Sequence, residues 1–239
     1  MGAVPDAEGT KKLVEHPGAT WAIEYILKPQ SDYAYYDMII GTYGTGKTTL
    51  VRHVAHQLDG VLYVNISPKR ISEKTFAKGF VKAFHWTPST CFWFDMLLFY
   101  GGISAGEAAA ASQCSELSGL FVLEAKLFKQ NKGQPPVLVL DNVNCLAQDN
   151  PKLLNILQDI TKDVADDGLC CSASSCLAKA MEIGDLEDNE AMDFLCNKRG
   201  ITEPVARDIY GLVGGCVVLL ARAANELNSG QDIPGLSST

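Results

Sequence analysis

The sequence lacks the long apolar segments that membrane proteins need. It contains no unbroken run of about eighteen apolar residues. No apolar stretch follows Lys11 and Lys12, and Asp6 stands where a myristoylation signal requires Ser or Thr. The sequence therefore predicts no spanning helix, signal peptide or lipid anchor of this kind. We expect an intracellular protein without a membrane partner, located in the cytoplasm, with the nucleus as the alternative.

The cysteine spacing of a metal site is also absent. Eight cysteines are present, but none forms a Cys-x-x-Cys pair. The closest cluster, Cys170, Cys171 and Cys176, has no histidine at ligand spacing. We therefore interpret the cysteines as small buried hydrophobic residues in a reducing compartment.

Basic residues are too few for a general nucleic-acid-binding protein. The net charge is −8, and residues 149–239 carry 15 acidic against 7 basic side chains. Because a surface that follows phosphates needs excess Lys and Arg, a nucleic-acid partner is not expected. One predicted helix is an exception, and we call its four regularly spaced basic residues the basic stripe: Arg70, Lys74, Lys78 and Lys82. We interpret the basic stripe as a solvated face, with an acidic or polyphosphate partner as the alternative.

Strands and helices alternate through most of the chain, and 47% hydrophobic residues suffice for a core. The apolar runs typical of buried strands are Tyr35–Ile40, Val61–Ile66 and Val137–Asp141. Helical patterns cover Lys47–Leu58, Cys114–Lys129 and the segment from Pro151 to Asp167. This alternation predicts an α/β fold in which helices cover both faces of a parallel sheet.

A glycine-rich loop joins the first predicted strand to the following helix. The pattern Gly-x-x-x-x-Gly-Lys-[Ser/Thr] is satisfied by Gly41, Gly46, Lys47 and Thr48. A strand before it and a helix after it are the context that this motif demands. We call it the P-loop and predict that its residues bind ATP: Gly41, Thr42, Tyr43, Gly44, Thr45, Gly46, Lys47, Thr48 and Thr49.

Each residue type in the P-loop has a chemical reason. Glycines let the backbone pass close to the phosphates with its N–H groups pointing inward, and the next helix adds the positive end of its dipole. Lys47 supplies a cation to the β and γ phosphates. The hydroxyl of Thr48 supplies an oxygen ligand for Mg²⁺.

A nucleotide site with Mg²⁺ also needs a carboxylate at the end of a neighbouring strand. Asp141 follows four apolar residues, and we predict it, with Thr48, as a metal ligand. Asn142 comes next, where a hydrolase of this type usually carries an acid that deprotonates the attacking water. An asparagine can hold a water molecule but cannot accept its proton. We predict catalytic roles for Lys47, Asp141 and Asn142, the last by positioning water.

The pattern divides the chain into a P-loop core and a small helical lid. The core covers residues 14–184, with a low-complexity, Ala-rich insertion at about 100–113. Three short helical patterns predict a lid at residues 185–229. We expect residues 1–13 and 230–239 to be flexible tails.

Taken together, Gly41–Thr48, Val137–Asp141 and the trailing helices resemble the AAA+ and STAND superfamily of P-loop ATPases. The segment from Ile183 to Ala191 looks like the entry to the lid of archaeal-type and fungal STAND-like ATPases. The resemblance implies a five-stranded sheet, an ATP-dependent conformational switch and assembly through neighbouring subunits. It therefore implies self-association or a protein partner, which we assign to the lid or the basic stripe.

Several features of that superfamily are altered here. Its sensor 1 strand is expected at residues 169–175, where Ser174 or Ser175 would supply the polar group. Its sensor 2 arginine is expected after the paired glycines, but Cys216 stands there and Arg222 lies two turns further on. The candidates for an arginine finger are Arg199 and Arg207.

Three functions are consistent with these residues. The first is a slow ATPase whose hydrolysis resets a switch driven by the lid. The second is a non-hydrolysing module that binds ATP to present a surface to a partner, and Asn142 favours it. The third is a P-loop kinase, which the helical C-terminal bundle and the lack of an arginine-rich closing segment oppose. A GTPase is not favoured, because no Asn-Lys-x-Asp tetrad follows a strand.

Overall fold

The computed structural model describes residues 14–28, 37–66, 107–166, 168 and 179–230. Within these ranges the helices are α1 (Pro17–Leu27), α2 (Lys47–Gln57), α3 (Glu107–Lys132), α4 (Val143–Asp149), α5 (Pro151–Asp166), α6 (Asp188–Met192), α7 (Glu203–Val213) and α8 (Val217–Asn228), and a π-helix covers Asp193–Lys198. The strands there are β1 (Asp37–Ile40), β2 (Val61–Asn65), β3 (Val137–Asp141) and β4 (Lys179–Glu182).

The described residues belong to two compact units. Unit 1 consists of residues 26–28, 37–38, 55–66, 107–166, 168 and 179. Unit 2 consists of residues 14–25, 39–54 and 180–230. Unit 1 therefore holds β2, β3 and α3 to α5, whereas unit 2 holds the P-loop, most of α2 and the lid helices α6 to α8.

In unit 1, β2 and β3 form a parallel pair. Val61 lies opposite Val137, and Asn65 lies opposite Asp141. The residues from Val61 to Val64 are all buried, as expected for a strand that is covered on both faces. The predicted parallel arrangement is confirmed. Because the two strands run in the same direction, Asn65 and Asp141 lie side by side where both strands end.

Strand β1 pairs with β4, and the lid helices of unit 2 enclose a core of their own. Next to the strand pair, the N–H of Ile183 donates to the carbonyl oxygen of Ile40 at 2.9 Å. The first of the three predicted lid helices consists of α6 followed directly by the π-helix. The lid core includes the fully buried residues Ala191, Leu195, Ala206, Leu220 and Ala224.

Several local predictions differ from the structure. Helix α3 begins at Glu107, before the start predicted at Cys114, because alanine is the strongest helix former. The sequence reasoning missed α4 and β4, which at 7 and 4 residues are too short to show a clear period. Cys145, Cys196 and Cys216 are half-buried free thiols, so the burial predicted for them is wrong.

Some predicted features lie outside the described residues. These are the basic stripe, the sensor 1 segment at residues 169–175, and residues 1–13 and 231–239 of the predicted tails. The described part of the chain has no helix with the length and apolar character needed to cross a bilayer.

Candidate functional site

The P-loop runs from the end of β1 at Ile40 into the first turn of α2, which starts at Lys47. Gly41 has a φ of 148° and Gly44 a φ of 93°, which side-chain-bearing residues rarely adopt. A Cβ atom on Gly41 would also lie 2.3 Å from the carbonyl oxygen of Ile183. The motif therefore needs a glycine at position 41 both for its backbone conformation and for the close approach of Ile183, the residue directly after β4.

The ammonium group of Lys47 is held over its own loop. Its Nζ donates to the carbonyl oxygens of Gly41 at 2.8 Å and Thr42 at 2.5 Å, and to Oγ1 of Thr45 at 3.4 Å. The fully buried Thr45 hydroxyl in turn donates to the carbonyl oxygen of Thr42 at 3.1 Å. These contacts place the one cationic side chain of the motif at the loop that the sequence predicts for phosphates.

The P-loop also offers backbone donors. Within the described residues, the N–H groups of Gly44 and Gly46 have no hydrogen-bond acceptor. Helix α2 begins directly after them, and the N–H of Leu50 donates to the carbonyl oxygen of Gly46 at 2.9 Å. Unpaired N–H groups, a helix N-terminus and a lysine are a donor set that fits a polyphosphate.

The start of lid helix α8 touches the P-loop. The N–H of Val218 donates to the carbonyl oxygen of Gly44 at 3.3 Å. A Cβ atom on Gly44 would lie 2.9 Å from Sγ of Cys216, the N-cap residue of α8. Gly215 lies just before, and its carbonyl oxygen accepts the N–H of Leu186 at 2.9 Å. The predicted sensor 2 position therefore places the Cys216 thiol next to the loop, and the backbone N–H of Val218 donates to the loop.

Asp141 lies at the end of β3 in unit 1, where its carboxylate accepts hydrogen bonds from a strand neighbour and from the next residue. The hydroxyl of Tyr63 donates to Oδ2, and the N–H of Asn142 donates to Oδ1 at 3.0 Å. Thr48, its predicted partner as a metal ligand, belongs to unit 2. Carboxylate and hydroxyl oxygens are the donor chemistry that Mg²⁺ prefers, and a shared site for the two residues stays a prediction.

Asn142 has an unusual backbone conformation. With φ 63° and ψ 35° it is left-handed, and among the described residues no other side-chain-bearing residue has a positive φ. Asparagine tolerates this region better than most residues do. Its Nδ2 donates to Oδ1 of Asn65 at 3.0 Å. Asn142, which the sequence predicts to position water, is thus held by its backbone and by a side chain from β2.

The sequence reasoning missed Tyr63 and Asn65. Both lie in a run that was interpreted only as an apolar buried strand, and they share one face of β2 because they are two residues apart. Polar groups at that spacing in an apolar strand are the signal that could have found them. To predict that they lie close to Asp141, one must also know that β2 and β3 are neighbours, and the sequence does not reveal the strand order.

The sequence profile of the AAA domain family matches residues 32–173, more than half of the chain. The chain belongs to the AAA domain family. This AAA domain has the fold of the P-loop NTPases. Its structure is similar to that of the Walker-type ATPase Paby2304 of Pyrococcus abyssi, with a TM-score of 0.54 and 12% identity over 93% of this chain and 70% of that one. None of the curated proteins matches the sequence.

The lid arginines of this AAA domain pair with residues of the lid itself. Arg222 donates through Nε to Glu226 at 2.8 Å, and this hydrogen bond, with the charge of Glu226, raises the pKa of Arg222. Arg207 donates to Glu203 at 2.8 Å, which likewise raises its pKa, with smaller contributions from other neighbouring charges. Arg199 donates to Asn225 and stacks over the ring of Phe194, its guanidinium carbon 5.0 Å from the ring centre.

Proposed function

We propose that this AAA domain binds ATP with Mg²⁺ at the P-loop and acts as a nucleotide-dependent switch of the STAND type that hydrolyses ATP slowly. The observation that carries the proposal is the P-loop itself. Lys47 and the N–H groups of Gly44 and Gly46 offer cationic and neutral donors at one loop, and the lid helix α8 touches that same loop.

The binding roles follow from the chemistry of the side chains. The Lys47 ammonium would exchange its bonds to the Gly41 and Thr42 carbonyls for charge-assisted bonds to the β and γ phosphates. The loop N–H groups would donate to the same phosphates, with the positive end of α2 behind them. Thr48 and Asp141 would hold Mg²⁺. When bound, that ion neutralises charge on the phosphate oxygens.

The contact between loop and lid supports a switch. Gly44 accepts a hydrogen bond from Val218 and lies against Cys216. Val218 and Cys216 are at the start of α8. Phosphate binding needs the N–H of Gly44 to point at the ligand, so any turn of the peptide groups that flank Gly44 alters this contact. A ligand can shift an equilibrium only through such differential contacts. The lid surface that responds is where we place self-association or a protein partner.

Slow hydrolysis follows from Asn142. A positioned base that accepts the proton of the attacking water contributes about 10²–10⁴-fold to the rate. The amide of Asn142 can hold water but cannot take up its proton, and its Nδ2 already donates to Asn65. Orientation of the water and charge stabilisation by Lys47 remain, so turnover is slow rather than absent.

A non-hydrolysing ATP-binding module is the second candidate, and the same Asn142 favours it. In that case the lid would respond to binding alone, and release of ATP would reset it. Cys216 at the sensor 2 position agrees with this alternative, because a thiol carries no fixed positive charge for the γ phosphate.

Single-turnover phosphate release separates the candidates. Excess protein would be mixed with radiolabelled ATP and Mg²⁺, using the unmodified chain, Lys47→Ala and Asn142→Glu. A slow ATPase releases phosphate over hours, loses release in Lys47→Ala and gains about 10²-fold or more in Asn142→Glu. Release only in Asn142→Glu identifies the non-hydrolysing module. Rapid release by the unmodified chain that Asn142→Glu does not increase would contradict the role given to Asn142.

A further inference from the structure

A buried tyrosine hydroxyl contacts the predicted metal-binding carboxylate. Tyr63 is 2% exposed and lies in the middle of β2. Its register partner on β3 is Val139, and Asp141 lies two residues further along the same face. The phenol therefore reaches diagonally across the strand pair to Oδ2 of Asp141. A buried tyrosine hydroxyl needs a hydrogen-bond partner, and here that partner is a carboxylate.

We infer that Tyr63 is a positioning residue for Asp141, and that its hydroxyl sets the Mg²⁺ dependence of nucleotide binding. This inference rests on the proposed function. It adds to the P-loop and Asp141 a residue from the centre of an apolar strand. Tyr63 would act through Asp141 and would not itself touch the metal or the nucleotide.

The two donors to Asp141 come from different directions. Tyr63 reaches Oδ2 from β2, and the backbone N–H of Asn142 reaches Oδ1 from the start of α4. Together they fix both the torsion and the tilt of the carboxylate. An ionised carboxylate can accept about four hydrogen or metal bonds, so the bonds from Tyr63 and Asn142 do not by themselves exhaust its capacity.

Removal of the hydroxyl leaves the carboxylate with only the backbone donor of this pair. Tyr63→Phe keeps every carbon atom of the ring, so the buried packing of β2 is preserved. The carboxylate then loses one of the bonds that orient it, and more of the cost of orienting it falls on Mg²⁺ binding. Loss of a hydrogen-bond partner behind a metal ligand typically costs about 10–100-fold in metal affinity.

The test compares ATP affinity in excess Mg²⁺ with ATP affinity in excess EDTA, measured by calorimetry on the full chain. The Mg²⁺ gain is the ratio of the two affinities. We expect Tyr63→Phe to lower the gain about tenfold or more and to leave the affinity in EDTA unchanged. The matched control is Tyr210→Phe, which removes a hydroxyl that donates to the carbonyl oxygen of Leu186 in the lid. It should leave both affinities unchanged.

Each other outcome has a definite meaning. An unchanged or larger Mg²⁺ gain in Tyr63→Phe overturns the inference. An equal loss of ATP affinity in Mg²⁺ and in EDTA also overturns it, because a merely structural role would produce that result. A wild-type chain with no gain refutes the proposed function itself. If Tyr63→Phe fails to fold, the Cζ resonance of Tyr63 in the ¹³C-labelled wild type decides. It should shift when Mg²⁺ joins the ATP complex, and an unmoved resonance would overturn the inference.

Discussion

The side-chain amide of Asn142 donates to Oδ1 of Asn65 at 3.0 Å. Asn65 lies opposite Asp141 in the strand register, so this bond ties the residue after β3 to the last residue of β2. The neighbouring Asp141 carboxylate accepts the backbone N–H of the same asparagine. Asn142 is thus fixed at two points, its backbone N–H and its side-chain amide, and its backbone is left-handed.

The left-handed backbone of Asn142 predicts a difference between two substitutions. Both Asn142→Gly and Asn142→Ala lose the bond to Asn65, but only alanine is strained at a φ of 63°. Asn142→Ala should be less stable than Asn142→Gly by about 1 kcal/mol or more. Urea denaturation of the two variants measures this difference, and an alanine variant as stable as the glycine variant would show that the backbone relaxes there.

Two glycines of the lid, one against a backbone carbonyl near the P-loop and one in open space, form a matched pair of positions for substitution. A Cβ atom on Gly215 would lie 2.0 Å from the carbonyl oxygen of Leu186, whereas one on Gly211 in α7 would meet nothing within 4 Å. We expect Gly215→Ala to destabilise the chain by at least about 1 kcal/mol. Gly211→Ala should stabilise it by about 0.5–1 kcal/mol, because glycine weakens a helix. Thermal unfolding compares them, and equal effects would contradict the close approach.

The sequence predicts those parts of the fold that depend on local residue patterns. The strand Val137–Asp141 and the helix that starts at Pro151 were predicted correctly. The N–H of Leu153 donates to the Asn150 side chain at 3.1 Å, as a helix cap requires. Such features depend on residues a few positions apart, so one sequence suffices to recognise them.

We predict that Arg222 of the lid takes no part in ATP binding or phosphate release. Its side chain is 75% exposed and pairs with Glu226 one turn along α8, so it does not replace the arginine absent at position 216. Arg222→Gln should leave ATP affinity and phosphate release unchanged. Lys198→Gln, which breaks an ion pair with Glu15, is the control. A large loss of ATP affinity confined to Arg222→Gln would reassign Arg222 to the nucleotide site.

The contact of the P-loop with α8 predicts a change in hydrogen exchange. Val218 donates its N–H to Gly44, so ordering of the loop by phosphates should slow exchange of amides in the first turn of α8. The measurement is exchange mass spectrometry with and without saturating ATP and Mg²⁺. Lys47→Ala should remove the effect. Unaltered exchange in α8 at full occupancy would contradict the proposed link between loop and lid.

The contacts of Tyr63 and Asn65 could not be predicted, for a physical reason. Their partners Asp141 and Asn142 lie 77 or 78 positions away in the chain, and only the strand order brings them together. The same applies to Gly44 and Cys216, which meet through the fold of the lid. Side-chain periodicity indicates which face is apolar, but it carries no information on which strand is the neighbour.

The central claim is that the P-loop binds ATP, and calorimetric titration of ATP in Mg²⁺ tests it most directly. The unmodified chain would be compared with Lys47→Ala and with Lys198→Ala, a control that breaks an ion pair with Glu15 instead. Loss of a charge-assisted bond to phosphate predicts that Lys47→Ala lowers ATP affinity by about tenfold or more, and that Lys198→Ala leaves it unchanged. Absence of ATP binding by the unmodified chain, or equal binding by Lys47→Ala, would contradict the claim.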